Sequence, residues 1–433
     1  MTKRMRAALT AGLGLLIAGQ GFAATPLPVA SSPEAEGFAP DRLKRLDDAM
    51  VRSVQTGMVG GALTLLARHG KVVEYKSYGD AAPGRPMTRD AIFRIYSMSK
   101  PVTGVAMMIL FEEGKWRLDD PVSKYIPGFK DMQVVTGLDD KGQPILEPAR
   151  HPTTMRELMS HTGGFGYGMT QEAGDRLIVA NGARDAHGLS DFIARMGRTP
   201  LLYQPGTRWQ YSLSVDIQGY LVEKLSGMPF GQFLAERIFK PLGMTDTGFS
   251  VPVAKAGRVA SVYHNDPQTG ALSPGASPGR PLPDPTQPPN YESGGGGLFS
   301  TLDDYARFAQ MLVNKGMLDG VRVLAPATVE LMGTNVVPQA VLKDPAQQFY
   351  KIFNENIGFG LDFQIVMRPR EAGKLEGAGT MSWEGAAGTW FWVDPTNDVI
   401  FVGMIQNFLR AGGAGFDPIT RPLVYQALVD PKK

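Results

Sequence analysis

Ser97, Met98, Ser99 and Lys100 follow an apolar segment and open a helix-forming, largely apolar run that ends at Gly114. Side chains three apart on a helix share a face, so Ser97 and Lys100 can meet. A serine hydroxyl is a weak nucleophile until a base takes its proton. Burial disfavours charge on a lysine, so a sheltered Lys100 can act as that base near neutral pH. The positive end of a helix favours the negative charge that develops on an attacked acyl group. The pattern is short and recurs by chance, so alone it carries little weight against the plain reading, a capped core helix with a lysine in its first turn.

Other residues invite chemical readings of unequal weight. The stretch Gln204-Pro205-Gly206-Thr207-Arg208-Trp209-Gln210-Tyr211 puts a turn and aromatic residues just before a helix. A phenol delivered there into a positive pocket can ionise or relay a proton. Spacing alone favours the plainer reading, a tyrosine packed beside Trp209. His161, before Gly163-Gly164, reads as a loop-ordering residue ahead of a general base, and His69 as a surface turn residue. Asp119 and Asp120 lack a matching ligand cluster and read as caps or surface residues, with no metal implied. Gly275-Ala276-Ser277-Pro278-Gly279 is a literal G-x-S-x-G, but its prolines forbid the strand and helix that motif needs. Gly294 to Gly297 precede a helix without the Lys-Ser/Thr of a phosphate loop, so close backbone packing accounts for them. In Ser382-Trp383-Glu384-Gly385-Ala386-Ala387-Gly388, small residues at a strand end let a substrate approach backbone N–H groups.

Elements must hold these residues. Ser97 is placed as the N-cap of its helix. Pro101 falls in the first turn, where it is tolerated, and Gly114 suits the C′ position. Helices are expected over 40–55, 187–199, 215–240, 302–314 and 418–429, with a capping box at Thr154 and Glu157. Strand pairs are expected at 62–68 with 72–78, around His69-Gly70, and at 389–393 with 399–406, around Asp394 to Asp398. Residues 265–290 read as a Pro/Gly-rich linker or surface loop.

The chain has 433 residues, 43% of them hydrophobic, enough for a large core and two lobes. A net charge of +2 without a strong basic block argues against a nucleic-acid surface. Lys3, Arg4 and Arg6, the apolar run Ala7 to Ile17, and small residues up to Ala24 read as a signal peptide cleaved after Ala23 or Ala24. The apolar run is shorter than the roughly 20 residues a membrane span needs. There is no cysteine, hence neither disulfide nor thiol nucleophile. The expected location is periplasmic or secreted.

The ordered set Ser97-x-x-Lys100, Tyr211-Ser212-Leu213 and Trp383-Glu384-Gly385 resembles the serine β-lactamase and penicillin-binding-protein superfamily. It looks most like the class C branch that includes family VIII carboxylesterases. Ser160 to Gly164, Gly294 to Thr301 and Gly385 to Thr389 look similar too, so the resemblance spans nearly all the mature chain. It implies an α+β fold of the β-lactamase/DD-peptidase type, an antiparallel sheet flanked by helices plus a mostly helical lobe. Residues 25–114 and 276–433 would form the α/β lobe, 115–275 the helical lobe, and 1–24 the signal peptide. It also implies an acyl-enzyme on Ser97, with Lys100 and Tyr211 sharing the base role in an order the sequence leaves open. The oxyanion would sit between the backbone N–H groups of Ser97 and Ala386, and Trp383 and Gly385 would contact substrate.

Two departures shape the expectation. Leu213 stands where β-lactamases have asparagine, and Trp383 stands where they have a lysine near the substrate carboxylate. Both resemble the esterase branch and favour a neutral or apolar acyl ester over a carboxylate-bearing substrate. The expected activity is hydrolysis of small-molecule carboxylic esters, without a cofactor. The alternatives are a β-lactamase or D-alanyl-D-alanine peptidase and, from another class, a non-catalytic binding or sensor protein of the same fold. The sequence is silent on oligomeric state.

Overall fold

The structure, a computed structural model, describes residues 26–266, 269–275, 282–344, 354–408 and 415–431. The signal-peptide region and the Ser277 motif lie outside the described residues, apart from Gly275.

Among the described residues, the central sheet has eight strands built from both ends of the chain. Gly61–Arg68 and Lys71–Ala82 form the expected hairpin, with Leu63 opposite Ser77. His69 turns it at φ 50° and bonds Glu36 through Nδ1 at 2.9 Å, so it serves the turn. On its other side Gly61–Arg68 pairs antiparallel with Val399–Met404, which pairs with Trp390–Asp394. Thr380–Glu384, Gln364–Val366 and Ile357–Phe359 continue the sheet to its edge.

Every residue of Gly61–Arg68 is buried, because both faces of the sheet are covered. On one face the Pro40–Gln55 and Asp417–Tyr425 helices bury Trp390, Trp392 and Phe401, with Trp392 stacked on Phe401 at 4.4 Å. On the other lies the Leu302–Val313 helix, whose Tyr305 meets Phe391 edge-on at 4.9 Å. The Ser99–Glu112 helix is buried from Ser99 to Leu110, which explains its near-uniform apolar composition. Gly114 follows it at φ 72°, the left-handed position expected of a C′ glycine.

Between 115 and 275 the helices Met155–Met159 and Leu189–Met196 appear as the pattern anticipates, and Thr154 and Glu157 form the capping box. The helix expected over 215–240 is corrected: Ser214–Ser226 ends at Gly227, left-handed at φ 74°, and the chain resumes a helix only at Phe230, after Pro229. Two strand pairs there were not anticipated. Gln133–Leu138 and Pro144–Pro148 form a hairpin whose turn is tied by Asp139, which accepts from the N–H groups of Lys141 and Gln143. Leu138, Ile145 and Leu146 are exposed, so no burial alternation announced it. Tyr263–Asn265 pairs with Leu272–Pro274 and, in parallel, with Asn407–Phe408, tying this segment to the sheet-bearing lobe. No helix among the described residues is long and apolar enough to cross a membrane.

Candidate active site

Ser97 sits in a tight 3-10 turn, Tyr96–Met98, directly ahead of the Ser99–Glu112 helix. The expectation of Ser97 as N-cap is therefore corrected. The N-cap position belongs to Met98, and no side chain caps the helix. Tyr96 takes a left-handed conformation, φ 43°, costly for a residue with a side chain. This bend leaves the Ser97 side chain partly accessible while its neighbours Met98, Ser99 and Lys100 are buried. Tyr305 reaches in from the Leu302–Val313 helix to donate a 2.9 Å hydrogen bond to the Met98 carbonyl, fixing the turn.

Three of the sequence-predicted residues converge. The Tyr211 hydroxyl donates to Ser97 Oγ at 2.7 Å, across 114 residues of chain. Lys100 Nζ lies 3.4 Å from the same oxygen. Lys100 is wholly buried and also donates to the Gly295 carbonyl at 2.6 Å. Its Nζ sits 4.5 Å from the centre of the Tyr211 ring and 5.4 Å from that of Tyr167, against the negative faces of both. Tyr167 stacks on Tyr211 at 5.2 Å and 10°. Burial pushes the Tyr211 hydroxyl well above its ordinary range, and its bond to Ser97 and the nearby Trp383 indole pull weakly the other way. The Trp383 N–H is buried and falls short of hydrogen-bond geometry, yet it favours the ionised phenol. Tyr211 thus rests as a neutral phenol, and the notion of a freely ionised one is set aside.

His161 is a support and stands apart from the reacting groups. It is buried at φ 57°, bonds Ser212 Oγ through Nδ1 at 2.9 Å, and packs against Tyr211 at 5.0 Å. Burial, then the nearby Lys100, holds its imidazole well below the usual range and therefore neutral. Asp119 pairs with Arg156, and Asp120 binds Tyr125, Lys124 and the Arg117 N–H, so both tie surface loops.

A cleft of ≈ 340 Å³ opens over Ser97 and Tyr211. Trp209, Trp383, Gly385 and Ala386 line it, together with Glu384, Asp417 and Arg421. Gly385 ends the Thr380–Glu384 strand where that strand meets the Ser97 turn. A side chain there would lie 2.4 Å from the Ile95 carbonyl oxygen and 2.2 Å from Thr389 Oγ1, so only glycine permits the approach. Trp383 faces Tyr211 with ring centres 5.6 Å apart. Arg421, the cation of the lining, is held by Asp417 at 2.6 Å and Glu376 at 2.8 Å. Glu384 is open to solvent but set in a recess, where surrounding protein, then Asp417, pushes its carboxyl up to about 7.

A beta-lactamase family profile matches residues 46–424. The chain belongs to the beta-lactamase family. Protein Rv1367c of Mycobacterium tuberculosis is 36% identical over 375 residues, covering 83% of this chain and 89% of that protein. Esterase EstB of Burkholderia gladioli is 31% identical over 386 residues, 84% of this chain and 89% of EstB. Among solved structures, EstCE1, a hydrolase with promiscuous acyltransferase activity, superposes with a TM-score of 0.73 at 27% identity, covering 89% of this chain and 99% of that one. The antiparallel sheet flanked by helices is the beta-lactamase fold, and the chain is a serine hydrolase of that family.

In this beta-lactamase-family site, Ser97, Tyr211, Trp383, Gly385 and Ala386 line one cleft, with Lys100 buried behind Ser97. Several contributors escaped the sequence reading. Tyr167 stacks beneath Tyr211, and Asp417 and Arg421 reach the cleft from the last helix. Two buried carboxylates, Asp216 and Asp362, lie near Lys100. Asp216, five residues after Tyr211 on an otherwise buried helix face, was the one with a local signal.

Proposed function

We propose that the protein is a carboxylesterase that cleaves small esters with neutral or apolar acyl groups through an acyl-enzyme on Ser97. The observation that carries this is the contact of Ser97 Oγ with Tyr211 at 2.7 Å and Lys100 at 3.4 Å, in a cleft walled by Trp209 and Trp383. The sole cation lining it among the described residues is tied to two carboxylates. A substrate carboxylate would find no unpaired cation there, and would meet Glu384 and Asp417. That disfavours β-lactams and peptides ending in carboxylate.

In this reading Ser97 Oγ attacks the ester carbonyl carbon and its proton passes to the Lys100–Tyr211 pair. Burial keeps the Tyr211 phenol protonated at rest, so the pair moves protons as a unit, Tyr211 gaining one as it yields its own. The oxyanion accepts from the N–H groups of Ser97 and Ala386. The intermediate collapses, and the departing alkoxide takes the proton back and leaves as the alcohol. Water then attacks the acyl-Ser97 ester, giving its proton to the same pair, and the carboxylic acid is released as Ser97 recovers its proton. The basic and apolar N-terminal stretch supports export to the periplasm or beyond.

Parallel kinetics with a short-chain p-nitrophenyl ester and a chromogenic cephalosporin test the proposal. The expected result is a kcat/KM at least about a hundredfold higher for the ester, near 3 kcal/mol of discrimination. Faster cephalosporin turnover would overturn it.

A further inference from the structure

We infer that Asp216 is a positioning residue for this reaction, supplying the counter-charge that Lys100 needs when it receives the Ser97 proton, through a clamp made by the 293–297 loop. This rests on the proposed acyl-enzyme chemistry, though its test does not require an ester substrate.

Asp216 lies on the Ser214–Ser226 helix and is 1% exposed. Carboxylates this buried are rare unless something holds their charge. Among the described residues, no arginine or lysine forms a direct ion pair with it. Instead Ser293 Oγ donates to Oδ1 at 2.5 Å and the Gly295 N–H donates to the same oxygen at 3.4 Å. The carbonyl of that same Gly295 accepts from Lys100 Nζ at 2.6 Å. One residue therefore grips the carboxylate with its N–H and the amine with its C=O. A side-chain carbon on Gly295 would lie 2.5 Å from Asp216 Oδ2 and 3.4 Å from Lys100 Nζ. Only a glycine hydrogen occupies the gap between the two charges, and any larger residue would drive them apart.

The need for a counter-charge follows from the burial of Lys100. When Ser97 gives up its proton, an ammonium forms out of contact with water, which is costly without compensation. The rings of Tyr211 and Tyr167 compensate in part. The groups facing this pair leave Asp216 as the anion. Asp362, the other nearby carboxylate, accepts from Gln218 at 3.1 Å and is held protonated by burial, which pushes it well above its usual range. His161 stays neutral, and burial keeps Tyr167, Tyr211 and Tyr291 protonated. Burial holds the Asp216 carboxyl above its usual range as well, but its bonds from Ser293 and the Gly295 N–H and the cations Lys100 and Arg184 oppose the rise, where Asp362 has only Gln218 and Lys100 to do so. The mechanism assigns no other task to this carboxylate.

The test uses Asp216→Asn, which keeps the size and the acceptor for Ser293 and removes the charge, with Ser293→Ala as the variant that keeps the charge. The readout is the second-order rate of Ser97 labelling by a fluorophosphonate across pH, with ester kcat and KM beside it. Asp216→Asn should lower the labelling rate and kcat about a hundredfold with KM within about threefold, a loss confined to the transition state. Its acid limb should move to lower pH by about half a unit or more, because an ammonium without its counter-ion holds its proton less tightly. Ser293→Ala should keep the parental limb and lose less than about tenfold. Asp216→Glu retains the charge and, should the Asn variant not fold, carries the test by keeping the parental limb. An unmoved limb in Asp216→Asn, or a moved limb in Asp216→Glu, would reduce Asp216 to a packing residue. Parent enzyme that labels at Ser97 but hydrolyses no ester would sink the esterase proposal and leave this test readable.

Discussion

Replacing Tyr211 with phenylalanine isolates one hydroxyl. The ring is fixed by stacking on Tyr167 at 5.2 Å, by Trp383 at 5.6 Å and by Trp209 at 6.1 Å, none of which involves the oxygen. Phenylalanine should therefore occupy the same slot, with stability changed by no more than about 1 kcal/mol. What disappears is the 2.7 Å bond to Ser97 Oγ and the relay to the leaving group. General acid–base groups typically contribute about 10²–10⁴ in rate, so kcat should fall by that factor, roughly 3–5 kcal/mol of barrier. KM should barely move, because the aromatic wall is intact. The assay is steady-state hydrolysis of a short p-nitrophenyl ester, with a thermal melt to show the fold is retained. A double variant with Lys100→Met should lose little more than the worse single variant, since the two act as a unit. A folded Tyr211→Phe enzyme within about fivefold of parental kcat would refute the shared proton relay and leave Lys100, at 3.4 Å, as the whole base.

Gly385→Ala would force a methyl to within 2.4 Å of the Ile95 carbonyl and push the strand from the Ser97 turn. It should reduce kcat by about 10²–10³, as loss of an oxyanion donor does, and unchanged acylation rates would show that the close approach does not serve catalysis. Trp383→Lys places an unpaired cation in the cleft and should shift the kcat/KM ratio toward carboxylate-bearing substrates by about tenfold, some 1.4 kcal/mol. An unaltered ratio would mean that the indole does not face bound substrate. Away from the site, burial pushes Glu74 up to about 7 and leaves its Oε1 without a partner. Its folded-state value lies above the unfolded one, so its contribution is present below the unfolded value and lost as pH rises through 7. Glu74→Gln should therefore raise stability at pH 8 by about 1–2 kcal/mol, after allowing for solvent access, and leave pH 4 unchanged. Denaturant melts at both pH values check this, and an equal shift at both would contradict it.

The candidate site was legible in part where it rests on short-range geometry. The spacing of Ser97 and Lys100 showed that the two side chains can meet but singled them out only together with the ordered resemblance, and Gly114 was legible from its place after an apolar run. The meeting of Ser97 with Tyr211 was not derivable from spacing. It spans 114 residues and arises from packing of the Ser99–Glu112 helix against the Ser214–Ser226 helix, so it came from the ordered resemblance. The error over the N-cap was one of local resolution. Ser97 was placed as the cap from its residue type, and the 3-10 turn stabilised by Tyr305 from a distant helix moves the N-cap position to Met98. The hairpin at 133–148 was missed because it buries too little to show alternation. Asp362 and Arg421 look like ordinary surface charges until the tertiary fold encloses them, and Asp216 alone carries a local sign, its place among the apolar positions of the Ser214–Ser226 helix.

In the proposed reaction the Ser97 oxygen carries the acyl group. Intact-protein mass spectrometry after rapid quench with an activated ester, followed by peptide mapping, tests this directly. The expected result is one acyl increment per chain on the peptide containing Ser97, lost in Ser97→Ala and retained in Ser277→Ala. An adduct on the Ser277 peptide, or full turnover by Ser97→Ala, would contradict it.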